Sequence, residues 1–117
     1  MNTKSVIEGY LEALGKRTDW SGFFHEDMTF VSHVVPMKRV EGRAAFLEST
    51  RRFYSMIAGL EVVSLIVEED RACALTRYRL QVPQGPSFSS EVAEIFKVVS
   101  GKIASLDIYF DSSPFPK

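Results

Sequence analysis

The stretch SFSSEVAEIFKVVSGKIASLDIYFD, residues 87–111, decides the fold. Successive side chains of a strand point to opposite faces, so Ser90, Val92, Glu94, Phe96 and Val98 share one face of its first half. That face is the more continuously apolar one, and it carries a carboxylate. The second half alternates as well, with Ala104, Leu106, Ile108 and Phe110 opposite Ser105, Asp107, Tyr109 and Asp111. Ser100-Gly101 between the halves reads as a tight hairpin turn. A sheet with one apolar face needs cover, and only roughly the first 57 residues are available to supply it.

Upstream, Ala72–Val82 continues the sheet, with Ala74, Thr76, Tyr78, Leu80 and Val82 on one face and Arg77, Arg79 and Gln81 on the other. Leu60–Glu68 precedes it across a Glu69-Asp70 turn, and Pro83, Gly85 and Pro86 mark the loop that follows it. The spacing of Phe46, Leu47, Thr50, Phe53, Tyr54 and Ile57 predicts a helix over residues 43–57, closed by Gly59. Met28–Val35 is β-branched and aromatic before Pro36, which predicts a strand, with Lys38–Val40 pairing after the turn. Thr18-Asp19 opens a short helix carrying Trp20, Phe23 and Phe24, and His25-Glu26-Asp27 reads as a loop. Residues 3–16 form the first helix, with Val6, Ile7, Tyr10, Leu11 and Leu14 on its apolar stripe. The tail Ser112–Lys117, with two prolines, reads as irregular. The fold class is α+β: three N-terminal helices packed on one face of a strongly curved, mostly antiparallel sheet, as a single domain over residues 1–117.

Composition narrows the partners. Fourteen basic and fifteen acidic residues leave a net charge of −1, without the basic surplus that nucleic-acid binding demands. Cys73 is the single cysteine, so neither an internal disulfide nor a zinc cluster is expected, and a reducing compartment fits. The opening residues carry charges throughout, which is not the pattern of a signal peptide. No uncharged run approaches the ~20 residues of a membrane span. The expectation is a cytoplasmic protein without metal or cofactor.

The opening Val6-Ile7-Glu8-Gly9-Tyr10-Leu11-Glu12-Ala13-Leu14, the Arg39-Val40-Glu41-Gly42-Arg43 entry to the main helix and the closing Ile108-Tyr109-Phe110-Asp111 resemble the SnoaL-like branch of the NTF2-like superfamily. That superfamily includes ketosteroid isomerases, limonene-epoxide hydrolases and polyketide cyclases. The resemblance covers nearly the whole chain. It implies a cystatin-like cone with an interior apolar cavity, and a homodimer built on the outer sheet face, where Arg77, Arg79, Ile95 and Tyr109 are expected. By position Tyr10 matches the oxyanion-hole tyrosine of the isomerases and Glu94 the carboxylic acid beside it. Ser32-His33 stand where those enzymes carry the aspartate base.

The residues themselves support a small constellation. Tyr10 offers a hydroxyl donor. Burial on an apolar face favours the neutral form of a carboxyl such as Glu94, which then donates a hydrogen bond. A histidine exchanges protons near neutral pH, which makes His33 the candidate base. A base, an acid and a donor in one dry pocket suit proton abstraction beside a carbonyl. Trp20, Phe24, Phe53, Tyr78, Phe96 and Phe110 are the expected walls around a small apolar ligand. Two alternatives stand beside this reading: a one-residue slip turns Ser32 rather than His33 to the cavity, and a non-catalytic binding or dimerisation module accounts for the same pattern.

Overall fold

The structure is a computed structural model and describes residues 2–34 and 36–115. Its order is α1 (Thr3–Gly15), a 3-10 turn (Ser21–Phe23), β1 (Phe24–Ser32), β2 (Lys38–Glu41), α2 (Arg43–Ser55), β3 (Ile57–Glu68), β4 (Arg71–Gln81), β5 (Ser87–Val99) and β6 (Lys102–Phe110). The strands form one sheet in the order β2-β1-β6-β5-β4-β3. Only the β1–β6 pair is parallel. Both helices pack on its concave face. None of the described helices is long and apolar enough to cross a membrane.

α1 begins where the Asn2 side chain accepts the Ser5 N–H at 2.8 Å. Its stripe of Val6, Ile7, Tyr10, Leu11 and Leu14 is wholly buried. The residues that follow depart from the expected three helices. Trp20, Phe23 and Phe24 do not share a helix: a single 3-10 turn delivers Phe24 straight into β1. β1 also absorbs His25-Glu26-Asp27, expected as a loop, and it ends at Ser32. Val35, the predicted end of that strand, and the last two residues of the tail lie outside the described residues.

α2 stops at Ser55, two residues short of expectation, because Ile57 already pairs with Leu80 in the sheet. Gly59 therefore lies inside β3 rather than closing the helix, and an added Cβ there would meet the Arg79 guanidinium at ordinary contact distance. Of α2's stripe only Phe46 is fully buried; Leu47, Thr50, Phe53 and Tyr54 are half-buried, since this helix roofs open space as well as core.

The β5–β6 hairpin carries the core as its alternation requires. Ser90, Val92, Glu94, Phe96 and Val98 are all buried. The turn has Ser100 at φ 52° and Gly101 at φ 77°, both left-handed, as a two-residue hairpin loop needs. One detail differs. The ladder shifts between Lys97 and Val98, so that Val98 faces Ile103 and Ala104 becomes the extra residue of a bulge. Ile103, not Ala104, enters the core, and it is fully buried.

Gly42 joins β2 to α2 at φ 93° and ψ 141°, a backbone region essentially closed to residues with a Cβ. Its N–H donates to the Met28 carbonyl at 2.7 Å, and its own carbonyl accepts from Phe46. No atom would obstruct an added Cβ there, so backbone strain alone sets the cost of a substitution. Gly42→Ala is expected to destabilise the fold by about 1–3 kcal/mol, read as a lower urea midpoint with an unchanged slope.

Candidate functional site

The roof formed by α2 leaves a cavity of about 250 Å³ over the concave face. Phe53 and Tyr54 hang into it from α2, and Phe30 and Ser32 face it from β1. Tyr78 of β4, Val92 and Glu94 of β5, and Leu106, Ile108 and Phe110 of β6 make its floor. Phe115 closes one side: an Asp111–Ser113 side-chain turn and a Ser112–Phe115 backbone bond fold the tail back, setting Phe115 edge-on to Phe88 and tilted against Phe110.

Glu94 is the chemical centre. It sits in β5 between Ala74 and Ile108 of the flanking strands and is 2 % exposed. Thr76 Oγ1 donates to Oε2 at 2.7 Å, and the Tyr78 hydroxyl lies 3.0 Å from both carboxyl oxygens. Burial and the two hydroxyls oppose each other. Desolvation penalises the carboxylate, the hydrogen bonds favour it, and desolvation wins: the Glu94 pKa is raised to about 7. Near neutral pH this carboxyl is present in both forms.

A second pair of hydroxyls stands nearby. Tyr10 and Tyr54 share a hydrogen bond of 2.9 Å between their oxygens. Burial pushes the pKa of Tyr10, Tyr54 and Tyr78 upward, with the charge of Glu94 adding to the effect in each, so all three remain protonated donors. Tyr54 reaches the cavity wall; Tyr10 lies behind it, fully buried. Trp20 stacks on Tyr54 at 4.1 Å between ring centroids. Phe24 and Phe96 meet the Tyr10 ring edge-on at 5.1 and 5.8 Å.

The structure thus brings part of the sequence-derived set together. Glu94, Tyr78, Phe53 and Phe110 line one cavity. Tyr10 touches it only through Tyr54. Trp20, Phe24 and Phe96 pack behind the wall rather than in it. His33 is elsewhere: its ring stacks on Tyr109 at 4.3 Å, and Nε2 lies 2.8 Å from Asp107 Oδ2, both on the outer side of the sheet. The physical reason is register. Ser32 pairs with Lys38 and Ile108 and shares their face, so the next residue points away. Ser32 therefore faces this cavity, and His33 is not placed to reach a ligand there. Tyr54 and Thr76 are among the residues that the sequence does not single out as site candidates. Both stood on the right faces, Tyr54 on the apolar stripe of α2 and Thr76 beside Tyr78, but apolar faces show no polar role until the groups meet. Among the described residues no three His, Cys, Asp or Glu side chains converge as metal ligands.

Comparison with known proteins follows the same lines. The family described as SnoaL-like domain matches residues 7–106. No curated protein sequence matches the chain. An NTF2-like protein from Burkholderia thailandensis E264 superposes with a TM-score of 0.82 at 15 % identity, over 97 % of this chain and 94 % of that one. A protein with a ketosteroid isomerase-like fold from Catenulispora acidiphila DSM 44928, solved with trimethylamine, gives 0.78 at 18 % identity, over 96 % and 89 %. A candidate SnoaL-like polyketide cyclase from Jannaschia sp. CCS1 gives 0.80 at 12 % identity, over 98 % and 93 %. At these identities the likeness is one of fold.

The environment of Glu94 makes stability depend on pH. An ordinary glutamate loses its proton near 4.5, and the folded protein holds this one until about 7. Between those values the folded state binds the extra proton, so stability falls as pH rises, by about 3 kcal/mol over the whole window. In Glu94→Gln this component is absent. Urea unfolding at pH 4.5 and pH 8 is expected to show the variant gaining on the wild type by that amount at the higher pH; parallel behaviour would place the titration elsewhere.

Proposed function

Because the chain belongs to the SnoaL-like domain family, matched over residues 7–106, we propose that its cavity binds a small, mostly apolar molecule by a carbonyl or hydroxyl oxygen and moves a proton on it. The reaction class is isomerisation, cyclisation or elimination by acid–base chemistry, without a cofactor. The observation that carries the reading is Glu94: a carboxyl buried in a cavity wall, held by two hydroxyls, with its pKa raised to about 7. A proton carrier works best when its pKa lies near the working pH.

In this reading ionised Glu94 removes a proton from the carbon beside a carbonyl, and the carbon–hydrogen bond pair moves into an enolate. Protonated Glu94 then returns the proton to the same or a neighbouring carbon. The developing oxyanion needs a donor that is already in place. Tyr54 supplies it: when Tyr10 donates to the Tyr54 oxygen, the Tyr54 proton is left for the ligand. Tyr10 is thus a positioning residue, and the packing of Trp20, Phe24 and Phe96 holds the tyrosine pair. Tyr78 and Thr76 keep the carboxyl oriented.

The test is hydrogen–deuterium exchange at the carbons beside the carbonyl of small cyclic ketones, followed by NMR. Exchange is expected to rise with pH through about 7, as the carboxylate forms, and to fall by about 10²-fold or more in Glu94→Gln. Binding without exchange would favour a non-catalytic ligand-binding module, and exchange undiminished in the variant would sink the role given to Glu94.

The same proposal includes a homodimer through the outer sheet face. Ile66, Cys73 and Ile95 form one cross-strand row there, and Leu75, Ala93 and Tyr109 the next. Ile66 is 61 % exposed and Tyr109 47 %, an apolar surface of the kind that marks an interface. Arg77 lies beside it, paired at 3.0 and 2.9 Å with Glu61 and Glu91. Sedimentation velocity is expected to show a dimer for the wild type and a monomer for Leu75→Asp.

A further inference from the structure

One row of side chains crosses the cavity floor. Lys38 of β2 pairs with Ser32 of β1, Ser32 with Ile108 of β6, and Ile108 with Glu94 of β5. Directly paired residues share a face, and all four line the cavity. Among the described lining residues Lys38 and Glu94 are the ones able to carry a full charge near neutral pH, and they stand at opposite ends of this row. Glu94 is at the buried end. Lys38 is on the edge strand, exposed, with no carboxylate of the described residues within ion-pairing distance. Three strand spacings separate their backbones, about 14 Å before curvature, and the lysine side chain reaches back over part of that span.

Resting on the function proposed above, we infer that the ligand is a compact amphiphilic acid. Its carbonyl or hydroxyl end meets Glu94, its apolar middle lies on Ile108 and Leu106 beneath Phe53, and its carboxylate emerges at the mouth against the Lys38 ammonium. The polarity of the row sets this orientation. A ligand carboxylate placed beside Glu94 would oppose its ionisation and lose solvation in an apolar wall. At the mouth it keeps water and gains a counter-charge. A single ammonium suits a single negative charge; the fork of donors that a phosphate group favours is not provided. The cavity volume of about 250 Å³ lies just under the usual range of small-molecule pockets, ~300–1,000 Å³, which limits the apolar middle to a short chain or one to two rings.

The experiment titrates the full chain with an eight-carbon methyl-ketone acid, its methyl ester, and the uncharged methyl ketone of equal length. Wild type, Lys38→Gln, Lys38→Glu and Glu94→Gln are compared by calorimetry at two salt concentrations. The acid is expected to bind about three- to tenfold tighter than the ester at low salt, and salt should weaken the acid alone. Lys38→Gln should bring the acid to the affinity of the ester, and Lys38→Glu should carry it below. Lys38 is exposed on an edge strand, so its variants should unfold at the wild-type temperature. An acid no tighter than its ester, or one indifferent to both Lys38 variants, overturns the inference. If ketone and ester still bind through Glu94 in that case, the proposed function stands; if none of the three binds, both fail.

Discussion

The concave face of the sheet is larger than the helices available to cover it, and the rest of the molecule follows from that mismatch. Six strands span about 24 Å across their hydrogen bonds, and the longest has 13 residues. Each helix is also 13 residues, about 20 Å long. α1 is spent wholly on core, every residue of its stripe being buried. α2 seals the remaining face at Phe46 and leaves Phe53 and Tyr54 half-covered over open space. The cavity is the part of the sheet that two short helices cannot reach, and the folded-back tail, through Phe115, closes one side of it.

A polar group in such a cavity has to be held by its neighbours, since little water reaches it. Glu94 has two hydroxyl donors, enough to orient the carboxyl and too few to stabilise its charge fully against burial. The outcome is a carboxyl that exchanges its proton near neutral pH, which neither an exposed glutamate nor one paired with arginine would do. Arg77 shows the contrast. One strand away, on the outer face, it is bound to Glu61 and Glu91 in solvent, and those carboxylates serve as partners on the surface. The same residue types, on opposite faces of the same strands, become a candidate proton carrier in one case and a solvated ion cluster in the other.

The tyrosine pair couples this centre to the core. Tyr10 comes from α1 and Tyr54 from α2, 44 positions apart, and their hydroxyls meet because Trp20 packs on both rings, Phe24 and Phe96 on Tyr10, and Phe46 on Tyr54. Aromatic packing here does more than bury area. It sets the position of a donor at the cavity wall, where a small displacement would cost the hydrogen bond.

The residues by themselves determined the features that rest on strict local periodicity. The alternation along β4 and β5 put Thr76, Tyr78 and Glu94 on the buried face, the turn at Ser100-Gly101 followed from its two residues, and the helical stripes named the covering surfaces. Those patterns are legible because one face of each element is buried and the other is not. Where that contrast fails, only the tertiary structure decided. In β1 both Phe30 and Val31 are buried, so alternation cannot say which side His33 takes; pairing to Lys38 and Ile108 turns Ser32 inward and sends His33 to Asp107 and Tyr109. The bulge at Ala104, the early end of α2 and the replacement of a second helix by one 3-10 turn have the same origin. Each is imposed by a partner strand or by packing against the sheet, through contacts that short-range spacing does not encode.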